Sequence, residues 1–216
     1  MAEKKEKGFL LSSLENFWYY YKWPFLGGIV IFFVVMIAMI NFSSVEEPSD
    51  ASVLAVFARP LTTQEFEFQS RLEGVIEDAD GNGTKQISTN ALYITEGGKS
   101  DEDSLAISKF ENTIAYAQSD LVLLDGTNLN RFQSKDFLEP LENYVDISQF
   151  DSGSLVYRDD KAVAVKLTNS KLLLDMQFFI DDVYAGIMFV PEEGTPSLET
   201  HRKNAAAMLL KLSEKE

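Results

Sequence analysis

For sixteen residues, Phe25 to Ile40, this chain has no charged or polar side chain, and Pro24 stands directly in front of the run. As an α-helix the run is about 24 Å long, and Trp23, Pro24, Asn41 and Phe42 extend it to the ~30 Å of a hydrocarbon core. A single membrane span is therefore expected over residues 23–42. The flanks orient it, because basic residues are retained on the cytoplasmic side. Lys4, Lys5, Lys7 and Lys22 precede the run, whereas no Lys or Arg follows it before Arg59. The expectation is a cytoplasmic N-terminus and a cell-membrane protein whose C-terminal part is extracellular.

A cleaved secretory signal also starts basic and apolar, but three features oppose it. The basic residues lie far from the run, the run is longer than an h-region of ~7 to 15 residues, and no A-x-A-like site follows. A lipoprotein signal needs a cysteine, and the chain has none. An uncleaved anchor is the expectation. Residues 1–22 then form a cytoplasmic and interfacial segment, 43–51 a tether, and 52–216 one external domain.

The segment SSLENFWYYYKW, Ser12 to Trp23, is dense in aromatic residues. Ser12 and Glu15 fit a capping box, and Leu10, Leu14, Phe17 and Tyr21 share one helical face. Phe17, Trp18, Tyr19, Tyr20, Tyr21 and Trp23 suit the headgroup layer, where a ring with a polar edge satisfies both neighbours. An interfacial turn, with the span started or kinked at Pro24, is expected. Gly27 and Gly28 make no G-x-x-x-G spacing, so no dimerisation face in the span is indicated.

Charge is divided unevenly. Through Phe42 the balance is +1; beyond it the chain carries −16. Such an acidic domain gains nothing from phosphate or anionic headgroups, so nucleic acid is excluded as a partner. The scattering of the acids fits solubility better than a binding stripe. The bilayer itself is the expected partner, with either another membrane protein or a small solute beside it. The external part is long enough to bury a core without disulfides.

Beyond the tether, Ser52–Phe57 is β-branched and apolar, as a buried strand requires. Thr62 and Glu65 then form a capping box before a helical face of Phe68, Leu72, Val75, Ile76 and Ala79. DGNGT, Asp80 to Thr84, stops that helix. Gln86–Thr95 suggests a second strand. Ser100–Asp103 caps a second helix with Ile107, Phe110, Ile114 and Ala117 inward, and Leu121–Leu124 is a third strand. Strand, helix, strand, helix, strand predicts an α/β domain with a βαβαβ, mostly parallel sheet. Further on, Asn128 can cap a short helix through Phe137, and Leu155–Arg158 with Ala162–Leu167 forms a hairpin around Asp159, Asp160 and Lys161. Val183–Val190 reads as a strand and Pro196–Leu212 as a helix packed by Leu198, Ala205, Met208, Leu209 and Leu212.

Leu138, Pro140, Leu141 and Tyr144, followed by Tyr157, Asp160, Lys161, Ala164 and Val165, resemble the first lobe of bacterial extracellular solute-binding proteins. Asn16–Trp23 is similar to the opening of single-span membrane proteins of Clostridia-type bacteria that carry such a domain. The resemblance covers the anchor well and Ser52–Leu167 loosely. It implies a solute-binding-lobe fold. Asp159 departs from the turn glycine of that family and Lys166 from its proline. A second lobe would have to fit in Thr168–Asp182, so capture by closing of two lobes is not implied.

Candidate sites are few. Asp125, Gly126 and Thr127 end a buried strand, where open parallel sheets place ligands, although Asp-Gly-Thr is also turn chemistry. Asp78, Asp80, Asn82 and Gly83 match positions 1, 3, 5 and 6 of a calcium loop, but position twelve is Thr89 instead of a bidentate carboxylate, which favours a simple turn. His201 is the only histidine, which removes triads and histidine metal clusters; a solvated side chain is expected there. Asp159-Asp160, Asp181-Asp182 and Glu192-Glu193 are adjacent acids, expected to point apart. The expectation is a protein without catalysis or cofactor, a membrane-anchored binding or accessory module. The alternative is a structural or regulatory subunit contacting partners through span and juxtamembrane segment.

Overall fold

The computed structural model describes residues 9–43, 49–62, 68–116, 118–176, 178, 180, 182–188 and 196–215. The chain divides into two compact units, 1–47 and 48–216.

The first unit is one helix, α1 (Phe9–Ser43), 35 residues and about 52 Å long. The interfacial segment and the span form one helix, which continues through Pro24; of the two expected roles of Pro24, starting the span is therefore not the one it has. Only one backbone hydrogen bond is lost there, and an apolar helix in lipid has no other way to satisfy its remaining amides. Trp18–Ile37 is long and apolar enough to cross a membrane, with a mean hydropathy of 1.7. The side chains of Trp18, Tyr19, Tyr20, Tyr21 and Trp23 are all exposed. Neighbouring helix positions differ by 100°, so these rings encircle the helix as a girdle. Phe17 lies on α1, but its side chain is outside the described residues.

The second unit is a six-stranded sheet with helices on both faces. Its elements are β1 (Ala51–Phe57), α2 (Phe68–Leu72), β2 (Ile87–Tyr93), α3 (Asp101–Ala115), β3 (Leu121–Asp125) and α4 (Gly126–Phe132). Then follow β4 (Leu155–Arg158), β5 (Lys161–Lys166), α5 (Lys171–Asp175), β6 (Val183–Ile187) and α6 (Pro196–Ser213). The strand order is β2-β1-β3-β6-β5-β4. β1 pairs parallel with β2 and β3, as the alternation of strands and helices predicts. β6 then inserts antiparallel between β3 and β5, and β4 pairs antiparallel with β5. β2, β1, β3 and β5 thus run one way, and β6 and β4 the other. The order along the chain does not reveal this insertion, because β6 joins β3 across some sixty residues of sequence.

Each face has its own core. Val53, Ala55, Phe57, Leu121, Leu123 and Ala185 pack with Leu72, Ile76 and the Ala205, Met208, Leu209 and Leu212 face of α6. Leu54, Val56, Val122, Leu124 and Val163 pack with Phe110, Phe132 and Phe137 from the α3 and α4 side. β1 and β3 therefore read as unbroken apolar runs because both faces are buried. The inward side of α3 is Asp103, Ala106 and Phe110, with Ile107 and Ile114 beside it; Ala117 is outside the described residues. α3 carries the expected cap, with Ser100 Oγ accepting from Asp103 N and Asp103 accepting from Ser100 N.

Two boundaries differ from expectation. α2 is five residues long and ends at Leu72, and Val75 N–H then bonds back to Leu72 C=O in a tighter turn. Leu72 and Ile76 are nevertheless both buried; Glu65 of the expected capping box lies outside the described residues. The helix after β3 starts at Gly126, capped by Asp125 rather than Asn128, and stops at Phe132. The hairpin between β4 and β5 turns on Asp159 (φ 49°) and Asp160 (φ 63°). Both adopt the left-handed region, which Asp tolerates better than most side chains, so the absent glycine is not required. Of the expected last strand, Val183–Val190, β6 covers Val183–Ile187 and Met188 bridges Leu138; 189–190 are outside the described residues.

β6 also sets a steric limit. A Cβ at Gly186 would lie 2.9 Å from Leu138 Cδ2 and 3.0 Å from the carbonyl oxygen of Val163. The backbone atom cannot rotate away. Gly186→Ala is therefore expected to lower stability by about 1–3 kcal/mol, measured by denaturant titration with an unchanged m-value.

Candidate functional site

The crossovers around β1 create a crevice. The chain leaves β1 through α2 on one face to reach β2, and leaves β2 through α3 on the other face to reach β3. β1 and β3 are adjacent, yet their following connections depart in opposite directions. Open α/β sheets take ligands at such a switch point, outside the carboxyl ends of the strands.

An open hollow of about 540 Å³ lies there, lined by Ala58 and Arg59 after β1, Asp125 at the end of β3, Gly126, Thr127 and Asn130 on α4, Ile180 and Asp182 before β6, and Tyr184 on β6. All three residues expected from the sequence meet at its wall. Asp125, however, is almost fully buried and its carboxylate is engaged. Oδ1 accepts from Asn128 N at 2.8 Å, and Oδ2 accepts a short hydrogen bond from Ala58 N. It holds the end of β1 against the start of α4 and shapes the floor. The groups that face a guest come from the rim. They include a guanidinium, an amide, a hydroxyl, a carboxylate and the Tyr184 ring. The Asp182 carboxylate is also paired with Lys166 Nζ.

Asp78, Asp80 and Asn82 lie on the loop before β2, at the opposite end of the sheet. The structure adds Asp50, a buried carboxylate immediately before β1, which no calcium-loop spacing includes. One oxygen each of Asp50, Asp78 and Asp80 lies within 4.8 Å of the others, so these three residues could hold a hard cation. Every one of them is also satisfied by the loop. Asp50 accepts from Ala79 N (2.6 Å) and Gln86 N (2.8 Å), Asp78 from Gly81 N (2.6 Å) and Gly83 N (2.7 Å), and Asp80 from Asn82 N (2.9 Å). The Gly83 amide above all holds the Asp78 carboxyl below its usual range. Gly81 and Gly83 have φ of +75° and +84°, which the wrapping of the loop around these carboxylates needs.

His201 is not solvated as expected. Its Nδ1 is 3.0 Å from Asp120 Oδ2, and the ring is half-buried where α6 crosses the start of β3. Asp120 also accepts from Ser52 N (2.7 Å) and Ser52 Oγ (2.8 Å). The serine hydroxyl bonds to the acid and not to the imidazole, so the trio lacks the serine-to-histidine link of a nucleophilic triad. The Asp120 hydrogen bond raises the His201 pKa against the opposing effect of burial, and the charges of Asp120 and Asp50 add to it. Asn204, one turn on, is fully satisfied: Nδ2 donates to Asp50 C=O (2.8 Å) and Glu77 C=O (2.9 Å), while Oδ1 accepts from Glu77 N (2.7 Å). Asn204 sits on the same helical face as Ala205 and Met208, and a polar residue at an apolar position was the available signal for it. Asp50 gave none. Of the adjacent acids, Asp181, Glu192 and Glu193 are outside the described residues.

No protein-family model matches the chain, and its comparison with curated proteins gives no match either.

Two outcomes follow from these bonds. Asp125→Ala leaves the amides of Ala58 and Asn128 without their acceptor, and is expected to cost about 2–3 kcal/mol in denaturant titration, with Asp125→Asn costing less. Because the folded pKa of His201 lies above its ordinary value of 6.5, the pair's contribution is complete below that value and is lost as pH rises through the folded pKa. The thermal midpoint should fall across that window, and His201→Gln should remove this component of the fall.

Proposed function

We propose that the chain is a single-pass membrane protein with a cytoplasmic N-terminus, whose acidic α/β domain stands outside the membrane as a non-catalytic binding module. The observation that carries this reading is the hollow at the switch point between β1 and β3. Its rim offers donors and acceptors of both signs and one aromatic face, the chemistry suited to a small polar solute. The one acid in its floor is held by two backbone amides, which suits it to shaping the site rather than to exchanging protons. The resemblance to a solute-binding lobe agrees in kind. A one-sided hollow cannot close over its guest, so weak and rapidly reversible binding is the expected regime.

A second reading is a structural or regulatory subunit of a membrane complex. It is favoured by the length of α1, of which about two-fifths extends beyond a ~30 Å hydrocarbon core and so leaves helix available for a partner beyond the span.

Thr127→Trp should fill the hollow without disturbing the core. Full-length protein in detergent, titrated with free amino acids, sugars and short peptides, is expected to melt higher with one class of these, and the Trp variant is expected to lose that shift. Absence of any shift, together with partners that co-purify after deletion of 49–216, would select the second reading. Topology is read independently by single cysteines: Lys109→Cys should react with an impermeant maleimide on intact cells and Ala2→Cys should not.

A further inference from the structure

The two rims of the sheet are built differently. β4 is four residues long, carries a register shift between Val156 and Tyr157, and runs into Arg158, Asp159, Asp160 and Lys161. Shortness, irregular pairing and charge are the means by which proteins keep a sheet edge from adding another strand. β2, at the other rim, has none of these. It keeps a regular register with β1 over seven residues, and Gln86–Thr95 contains no charge and no proline in a chain of net charge −15. Among the described residues, no segment pairs with its outer side.

The bonds on its inner side identify the amides that face outward. Ile94 N–H donates to Phe57 C=O at 3.0 Å, and Gln86 C=O accepts from Asp50 N at 2.9 Å. Backbone groups of successive residues alternate in direction, so even-numbered residues address β1. The N–H and C=O groups of Ile87, Thr89, Ala91 and Tyr93 therefore point away from β1; Ile87 is buried, and the accessible stretch of the edge runs from Thr89 to Tyr93. Asn90 and Ala91 also expose their side chains.

We propose that this edge is where a second copy of the chain docks, β2 pairing antiparallel with β2 about a two-fold axis at Asn90 to join two sheets into one. A two-fold axis perpendicular to the sheet lays a strand antiparallel on its own copy. In this register Thr89 lies opposite the partner's Ala91 on either side of the axis, so these two positions of each chain gain hydrogen-bonded partners, while Ile87 is already buried and marks where the pairing ends. Asn90 faces the partner's Asn90 in a non-hydrogen-bonded pair. Charge selects the same arrangement. Exposed Lys85 precedes the strand and exposed Glu96 follows it, so antiparallel pairing brings each Lys85 to the end that carries the partner's Glu96. Elsewhere two domains of −16 repel each other. One strand pair buries far less than the ~1,600 Å² of a standard interface, and confinement of both copies to one bilayer supplies the missing effective concentration. In that respect the proposal rests on the anchoring described above.

The chain has no cysteine, so single-cysteine variants report without background. In liposomes under mild oxidation, full-length Asn90→Cys is expected to form a disulfide dimer on the order of ten-fold faster than Lys109→Cys on the outward side of α3, because a non-hydrogen-bonded pair has the Cα spacing a disulfide needs. Adding Ala91→Pro to Asn90→Cys should return the rate to the control value with an unchanged circular dichroism spectrum, since the Ala91 amide gives nothing to β1. Equal rates for Asn90→Cys and Lys109→Cys, or cross-linking that survives Ala91→Pro, would overturn the proposal. Flotation of the same liposomes reads anchoring separately, so a chain that floats without cross-linking removes the dimer alone.

Discussion

β1 has parallel neighbours on both sides and helices over both faces, so its backbone ends cannot be satisfied by water and must find partners within the protein. Two carboxylates at its ends, Asp120 and Asp125, meet that demand, and a third, Asp50, gathers the neighbouring loop. Asp50 precedes the strand and gathers the amides of Ala79 and Gln86; Asp120 receives the amide and hydroxyl of Ser52; Asp125 receives the amide of Ala58 beyond the strand's last residue. Each acid also ties β1 to another element. Asp120 reaches His201 on α6, Asp125 caps α4, and the carbonyl of Asp50 holds Asn204. The strong acidity of the domain thus includes several carboxylates whose charge is compensated by backbone dipoles.

This arrangement gives the two ends of the sheet different characters. At the amino ends, loops fold inward on Asp50 and Asp120, and α6 closes over them. At the carboxyl ends, the connections from β1 and β3 diverge and leave the hollow open beside Arg59, Thr127 and Tyr184. The geometry that secures β1 is the geometry that opens the site, because Asp125 serves both. A ligand there would meet a floor fixed by buried hydrogen bonds and a rim of longer, more adaptable side chains.

Much of this is legible in the sequence. The apolar run, the cap at Ser100, the βαβαβ order and, apart from Leu198, the inward face of α6 all follow from local rules of period, composition and turn chemistry, and they hold. Asp125-Gly126-Thr127 was legible as a strand end at the carboxyl side of a parallel sheet. What escaped was partly a choice between neighbouring turn residues and partly long-range. Local pattern placed the cap at Asn128 although Asp125 takes it, and it left His201 in solvent although Asp120, eighty-one residues earlier, is its partner. Helical periodicity extended α2 to Ala79, whereas Gly74 and a tighter turn end it while keeping Ile76 in the core.

By itself the sequence determined what depends on neighbours along the chain: one helix apolar enough for a membrane, a charge imbalance about it, and the alternation of strands and helices. Tertiary structure alone decided where β6 goes, which carboxylates are buried, and which rim groups stand beside Asp125. The physical reason is one of range. Hydrophobic period and turn chemistry act over a few residues, while strand insertion and the pairing of Asp50, Asp120 and Asn204 depend on segments brought together only when both faces of the sheet are covered.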